Sequence, residues 1–347
     1  MASEIVFSRN KHIDVMRGIG IILVVLGHTY HNSGMLYLFH MPLFFMLSGS
    51  VLNYTRHKYS IGRRFKGIMV PYFVFSILCF IYWAFVESNF RPIHDEALFG
   101  GYLGTFNIKV QQFINIFLAE NSTNAYTYNI VMWFLPCLFV ADLIYAKIKK
   151  AKGLWGIIMA FIALYYLWVS KLPCLIWSLN IAVLVVPFVY IGHKGYPILI
   201  KQTSRIRSWN IIVITIVGIL FFVFLANQFN IQSNIMGNII PPFYSFYGMA
   251  ILGSLVVFYI SFLINNLNIV VGGHLSYLGK NSLIIMCIHE PIKRVLLVVL
   301  SKLSSLPIDD LRGNILLSII CVFILLMVCV PVVNVINKRL AWMIGKF

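Results

Sequence analysis

The chain has 347 residues, of which 60% are hydrophobic and 11% charged. A water-soluble core of this length cannot absorb that much apolar surface, which excludes a soluble globular enzyme. The net charge of +17 does not indicate nucleic acid, because the cations fall in alternate segments between apolar stretches rather than on one binding face.

Apolar stretches of about 20 residues, the length a spanning helix needs, recur at 13–31, 35–54, 68–87, 128–146, 153–170, 174–192, 209–226, 243–264, 282–303 and 314–334. The fold class is therefore an all-α polytopic membrane protein of about ten helices. Cations gather in every second connection, as in Arg9 with Lys11, Arg56 to Lys66 and Lys147 to Lys152, while Glu87, Asp95, Glu96, Asp309 and Asp310 occupy the others. The positive-inside rule then places both termini in the cytoplasm. The segment after Lys11 is long enough to span and lacks a small-residue cleavage site, so it is expected to remain in the mature protein. Residues 1–347 are expected to form one membrane domain.

Helix one opens with Asp14 and Arg17 and ends with Gly27-His28-Thr29. Ionisable groups within a spanning segment cost several kcal/mol, so each is a functional hypothesis. Arg17 and His28 are 11 residues apart, which returns them to nearly the same helix face with a rise of about 16 Å. Asp14 lies one turn before Arg17, within reach of its guanidinium. The bland alternative is that both side chains extend to the headgroups. Gly18, Gly20 and Gly27 allow a close neighbour, by packing or as part of a narrow acyl passage. Helix two starts at His40, level with His28. A metal site from His28, His31 and His40 lacks any carboxylate or cysteine, and no metal is expected.

Arg56 to Lys66 holds five cations, including Arg63, Arg64 and Lys66. Such a run serves topology or anionic headgroups; the alternative is a clamp for the phosphates of an acyl-CoA. In the long 88–127 connection, Val110, Phe113, Ile114, Phe117 and Leu118 form an apolar stripe at helical spacing, expected to lie at the interface. Helix nine begins near Lys280, Asn281 and Ser282 and carries His289, Glu290, Pro291, Lys293 and Arg294. A proline at that depth frees a backbone carbonyl, tolerable only beside protein or water, and so points to a polar cavity. The six cysteines all sit in apolar segments and read as packing residues.

Together, Ile13-Asp14-Val15-Met16-Arg17-Gly18, the ten residues from there to His28, Met41 to Gly49, Arg63-Arg64 with Pro71-Tyr72, Trp133-Phe134-Leu135, and Leu278 to Leu283 with His289 resemble the acyltransferase family 3 proteins, the membrane O-acyltransferases of bacterial surface carbohydrates. The chain looks most similar to the fucose 4-O-acetylase-like branch, without the extracytoplasmic esterase-like domain that many relatives carry. The resemblance implies acetyl-CoA as a cytoplasmic acyl donor, a carbohydrate or lipid-linked glycan hydroxyl as acceptor, and residence in the bacterial inner membrane. It also implies that His28 is the key catalytic group. On that reading Arg17 anchors or orients the donor, held by Asp14. Arg63, Arg64 and Lys66, with Lys280 and Asn281, bind the donor, and His289 and Glu290 share the cavity. Two other classes compete: a transporter or flippase for a lipid-linked sugar, which also needs a polar cavity, and a glycosyltransferase or polymerase, for which Asp95 and Glu96 are thin support.

Overall fold

A computed structural model of the chain describes residues 10–54, 60–88, 108–120, 126–150, 153, 156–158, 162, 175–231, 233–235, 240–267 and 269–346. The regular elements among them are helices. In chain order these are α1 (Lys11–Thr29), α2 (Gly34–Tyr37), α3 (His40–Val51), α4 (Ile61–Tyr82), α5 (Ile108–Leu118), α6 (Phe134–Ile148), α7 (Leu179–Thr203), α8 (Ser208–Gln228), α9 (Phe243–Leu267), α10 (Ile269–Lys280), α11 (Ser282–Ser304), α12 (Ile308–Gly313) and α13 (Ile315–Arg339).

Eight helices among the described residues are long and apolar enough to cross a membrane, and α11 matches them in length while carrying the charges noted above. The segment expected at 153–170 lies almost wholly outside the described residues, as do Arg56, Lys58, Asp95, Glu96 and Cys174. The chain is an all-α polytopic membrane protein. Its apolar core stretches are 67% buried in α1 and α3 but 22% in α8 and 28% in α13, so the first two are central and the last two face lipid.

Several helices run past their expected ends. Arg63, Arg64 and Lys66 do not lie in a loop: α4 starts at Ile61, and the Ser60 hydroxyl caps it by accepting from Arg63 N at 3.4 Å. Basic residues are good helix formers, and hydropathy alone ends a segment where charge begins although the backbone continues. For the same reason α7 runs on to Thr203 and α13 to Arg339. The stretch before Lys280, expected as a connection, is α10.

Two glycine pairs set the central helix contacts. A Cβ on Gly18 would overlap the Leu275 carbonyl of α10, and one on Gly279 would overlap the Asp14 carbonyl of α1. Likewise Gly49 of α3 abuts Val189 of α7, and Gly192 abuts Met46. Backbones that touch in this way pack as small-residue interfaces do in lipid. The α1–α10 contact brings Lys280 to the same end of the bundle as Arg17.

On α5, Gln112, Asn115 and Ile116 are buried while Val110, Phe113, Ile114 and Phe117 point outward. This is the orientation of an interfacial helix with its apolar stripe toward lipid. Tyr72 of α4 secures it by donating to the Ile116 carbonyl at 2.8 Å. Cys79, Cys137, Cys287, Cys321 and Cys329 are free thiols, all buried.

Candidate functional site

Arg17 and His28 each line a cavity, at opposite ends of α1. Arg17 opens onto a crevice of about 180 Å³ together with Arg64, Lys280, Ser48, Phe44 and Phe134. His28 opens onto a chamber of about 90 Å³ with Tyr37, His40, Trp133 and Asn234. Met286 of α11 is the one residue common to the two linings.

The end of α1 that carries His28 is tied down carbonyl by carbonyl. Tyr30 N donates to Leu26 O at 2.9 Å. Gly27 O accepts from Ser33 Oγ at 2.7 Å and Tyr37 Oη at 3.0 Å. His28 O accepts from Lys293 Nζ at 2.9 Å and more distantly from an Arg312 terminal nitrogen at 3.4 Å, while Arg312 Nε donates to Thr29 O at 3.0 Å. A helix leaves its last carbonyls without intrahelical partners, and two cations at its C-terminus also complement the macrodipole.

The His28 Nδ1 atom lies 3.5 Å from Tyr37 Oη. The Tyr37 proton is committed to Gly27 O, so the phenol oxygen accepts from His28 Nδ1–H and Nε2 keeps its lone pair. The His289 ring stands 5.7 Å from that of His28, centroid to centroid. Its Nδ1 is 3.0 Å from the carbonyls of both Ile285 and Met286, and its Nε2 is buried without a hydrogen-bond partner. His40 repeats the pattern: Nδ1 donates to Leu36 O, and Nε2 is buried without a partner. His31 turns away to Asp309 at 3.3 Å.

Glu290 does not stand free beside the imidazoles. It pairs with Lys293 at 2.7 Å and Arg294 at 3.4 Å, and Arg294 reaches Glu87 at 3.1 Å. Two carboxylates and two cations thus form a network that balances its own charge, which is how charges persist at this depth. Pro291 leaves Cys287 O without its usual i+4 donor; Asn129 Nδ2 supplies one instead at 2.7 Å.

In the inner crevice, Arg64 Nε donates to Asp142 Oδ2 at 2.7 Å, and Ser48 Oγ donates to the same carboxylate at 2.9 and 3.0 Å. A terminal guanidinium nitrogen of Arg64 also meets both Asp142 and Ser48. Arg17 is close enough to act electrostatically on Asp142. Of the cations read as donor contacts, Arg64 and Lys280 reach the crevice wall, whereas Arg63 and Lys66 are exposed on α4 outside it. Asn281 is occupied elsewhere, donating to Tyr277 O at 2.9 Å and accepting from Asn337 Nδ2 at 2.7 Å. Asp14 is buried, with its carbonyl against Gly279.

The family model described as an acyltransferase domain matches residues 10–334. The chain belongs to acyltransferase family 3. It is a membrane acyltransferase, and both cavities fall within the part of the chain that defines the family. That membership favours acyl transfer over transport of a lipid-linked sugar. No curated protein and no solved structure matches the chain significantly.

Sequence reasoning passed over Asp142, Tyr37, Asn129, Arg312 and Met286. Asp142 carried a usable signal, as a carboxylate within an apolar span. The other four carry none, because a tyrosine, an asparagine or a methionine near a helix end is ordinary, and Arg312 sits in a short connection.

Proposed function

We propose that this acyltransferase moves an acyl group, acetyl in the simplest case, from acyl-CoA to a hydroxyl of a cell-surface carbohydrate or its lipid-linked precursor, and that it works in the bacterial cytoplasmic membrane. The observation that carries the reading is the pair of cavities along α1, one holding Arg17 and the other His28, meeting at Met286. The donor's phosphates suit the cationic crevice, where Arg17, Arg64 and Lys280 converge; guanidinium forks bind phosphate oxygens in pairs. The acceptor hydroxyl suits the His28 chamber.

With its proton on Nδ1, His28 has a basic Nε2 available. As the acceptor oxygen attacks the thioester carbonyl, Nε2 takes the hydroxyl proton; the new C–O bond forms, the C–S bond breaks, and the proton passes to the departing thiolate. No acyl-enzyme intermediate is required. Tyr37 and the clamp on the α1 carbonyls hold the imidazole in place, and Asp142 aligns Arg64. His289 stands as a second imidazole beside the first, and Glu290 acts through Lys293.

The test is incubation of the purified protein in lipid with radiolabelled acetyl-CoA and candidate glycolipids. Label is expected in the glycan with the native chain and none with His28→Ala at equal expression. Retained transfer by His28→Ala removes the general-base assignment.

A further inference from the structure

The two cavities are separated by very little. Arg17 and His28 are about 16 Å apart along α1, and Met286 touches both spaces. The surrounding wall is stiff: Phe44 lies edge-on to Phe134 at 6.1 Å, and Phe134 to Trp133 at 6.2 Å. Gly20, across the helix from the phosphate-facing side, already presses on the Phe44 ring, where a Cβ would sit 3.1 Å away. Aromatic rings packed in this way have few alternative rotamers. A methionine is the opposite, unbranched, polarizable and able to change shape at little cost. Met286 is also fixed at its backbone, since its carbonyl is within hydrogen-bond distance of His289 Nδ1. Only its side chain is left to move.

We propose that Met286 is the partition between donor crevice and acceptor chamber, and that its side chain sets the length of acyl group the enzyme accepts. The inference rests on the acyl-CoA reading above. For the thioester carbonyl to meet the hydroxyl at His28, the acyl group of a donor entering past Arg17 must pass the Met286 side chain. The chamber beyond has a volume of about 90 Å³, and the acceptor hydroxyl must share it, so a short acyl chain fits and a longer one collides with the thioether. Removing the side chain beyond Cβ joins the two spaces; enlarging it to a ring closes the opening.

Binding of stable donor analogues to the full-length protein in nanodiscs tests this without any acceptor. The probes are CoA, acetonyl-CoA, in which a ketone replaces the thioester, and the homologue lengthened by two methylenes. The native chain is expected to bind the longer probe at least tenfold more weakly than acetonyl-CoA. Met286→Ala is expected to abolish that difference, and Met286→Leu to keep it. Met286→Phe is expected to weaken acetonyl-CoA at least tenfold while leaving CoA itself unchanged, which also reports that the variant is folded. An unchanged preference in both Met286→Ala and Met286→Phe overturns the proposal. Failure of the native chain to bind CoA or either analogue removes the donor reading and this inference together, whereas normal CoA binding with no chain-length effect removes the inference alone.

Discussion

Lys293 Nζ donates to the backbone carbonyl of His28 at 2.9 Å while pairing with Glu290 at 2.7 Å. A side chain 265 positions further along the chain therefore holds the peptide group of the proposed base. Lys293→Met removes that donor and leaves Glu290 with Arg294 alone. We expect kcat to fall on the order of 100-fold, the cost of misplacing a catalytic group by about 1 Å, with the KM for acetyl-CoA unchanged. Lys293→Arg should recover part of the rate. Steady-state kinetics on the two variants decides; a change confined to KM argues against positioning.

Arg312 shares the His28 carbonyl with Lys293, so the two are not independent. A double-mutant cycle with Lys293→Met and Arg312→Gln, read in kcat, should give a coupling of about 0.5–3 kcal/mol. Strict additivity would mean that the two cations serve separate ends.

Asp142 is buried between Arg64 and Ser48. Asp142→Ala strands the guanidinium and should destabilise the protein by about 3–5 kcal/mol. Adding Arg64→Met to it should restore part of that loss and still leave donor binding weakened. Thermal unfolding in detergent, with and without acetyl-CoA, separates the two effects.

Gly279→Ala places a methyl group against the Asp14 carbonyl where α1 and α10 touch. Neither atom is the end of a flexible side chain, so the helices must separate. The expected loss is about 1–3 kcal/mol, with Lys280 drawn away from Arg17. Gly273→Ala on the same helix meets nothing within 4 Å and should be neutral. Equal melting temperatures for the two variants would refute the close contact.

Asn129→Leu leaves the Cys287 carbonyl beside Pro291 without its donor. A buried unpaired carbonyl costs about 1–3 kcal/mol. Pro291→Ala restores the backbone N–H that Cys287 O lacks, so the double variant should be more stable than Asn129→Leu alone. Melting curves of the three proteins provide the check.

Much of this protein was determined by sequence alone, because lipid is an undemanding reader: a run of apolar residues spans, wherever its neighbours lie. That is why the apolar stretches from 13–31 to 314–334 correspond to helices wherever the structure describes them, and why Arg17, His28, Glu290 and Lys293 stood out as charges that lipid would not tolerate unaided. Hydropathy could not see that Arg63 and Lys66 ride outside the crevice while Arg64 turns in, since all three are equally basic and only the helix phase of α4 separates them. Nor could it foresee α10, where Gly18 and Gly279 bring two backbones together, or Asp142, which needs Arg64 and Ser48 from other helices to be stable. Partners of this kind are far apart in the chain and specified by shape, so the wall at Met286, the clamp on the His28 carbonyl and the donor to Cys287 were decided only when the helices packed.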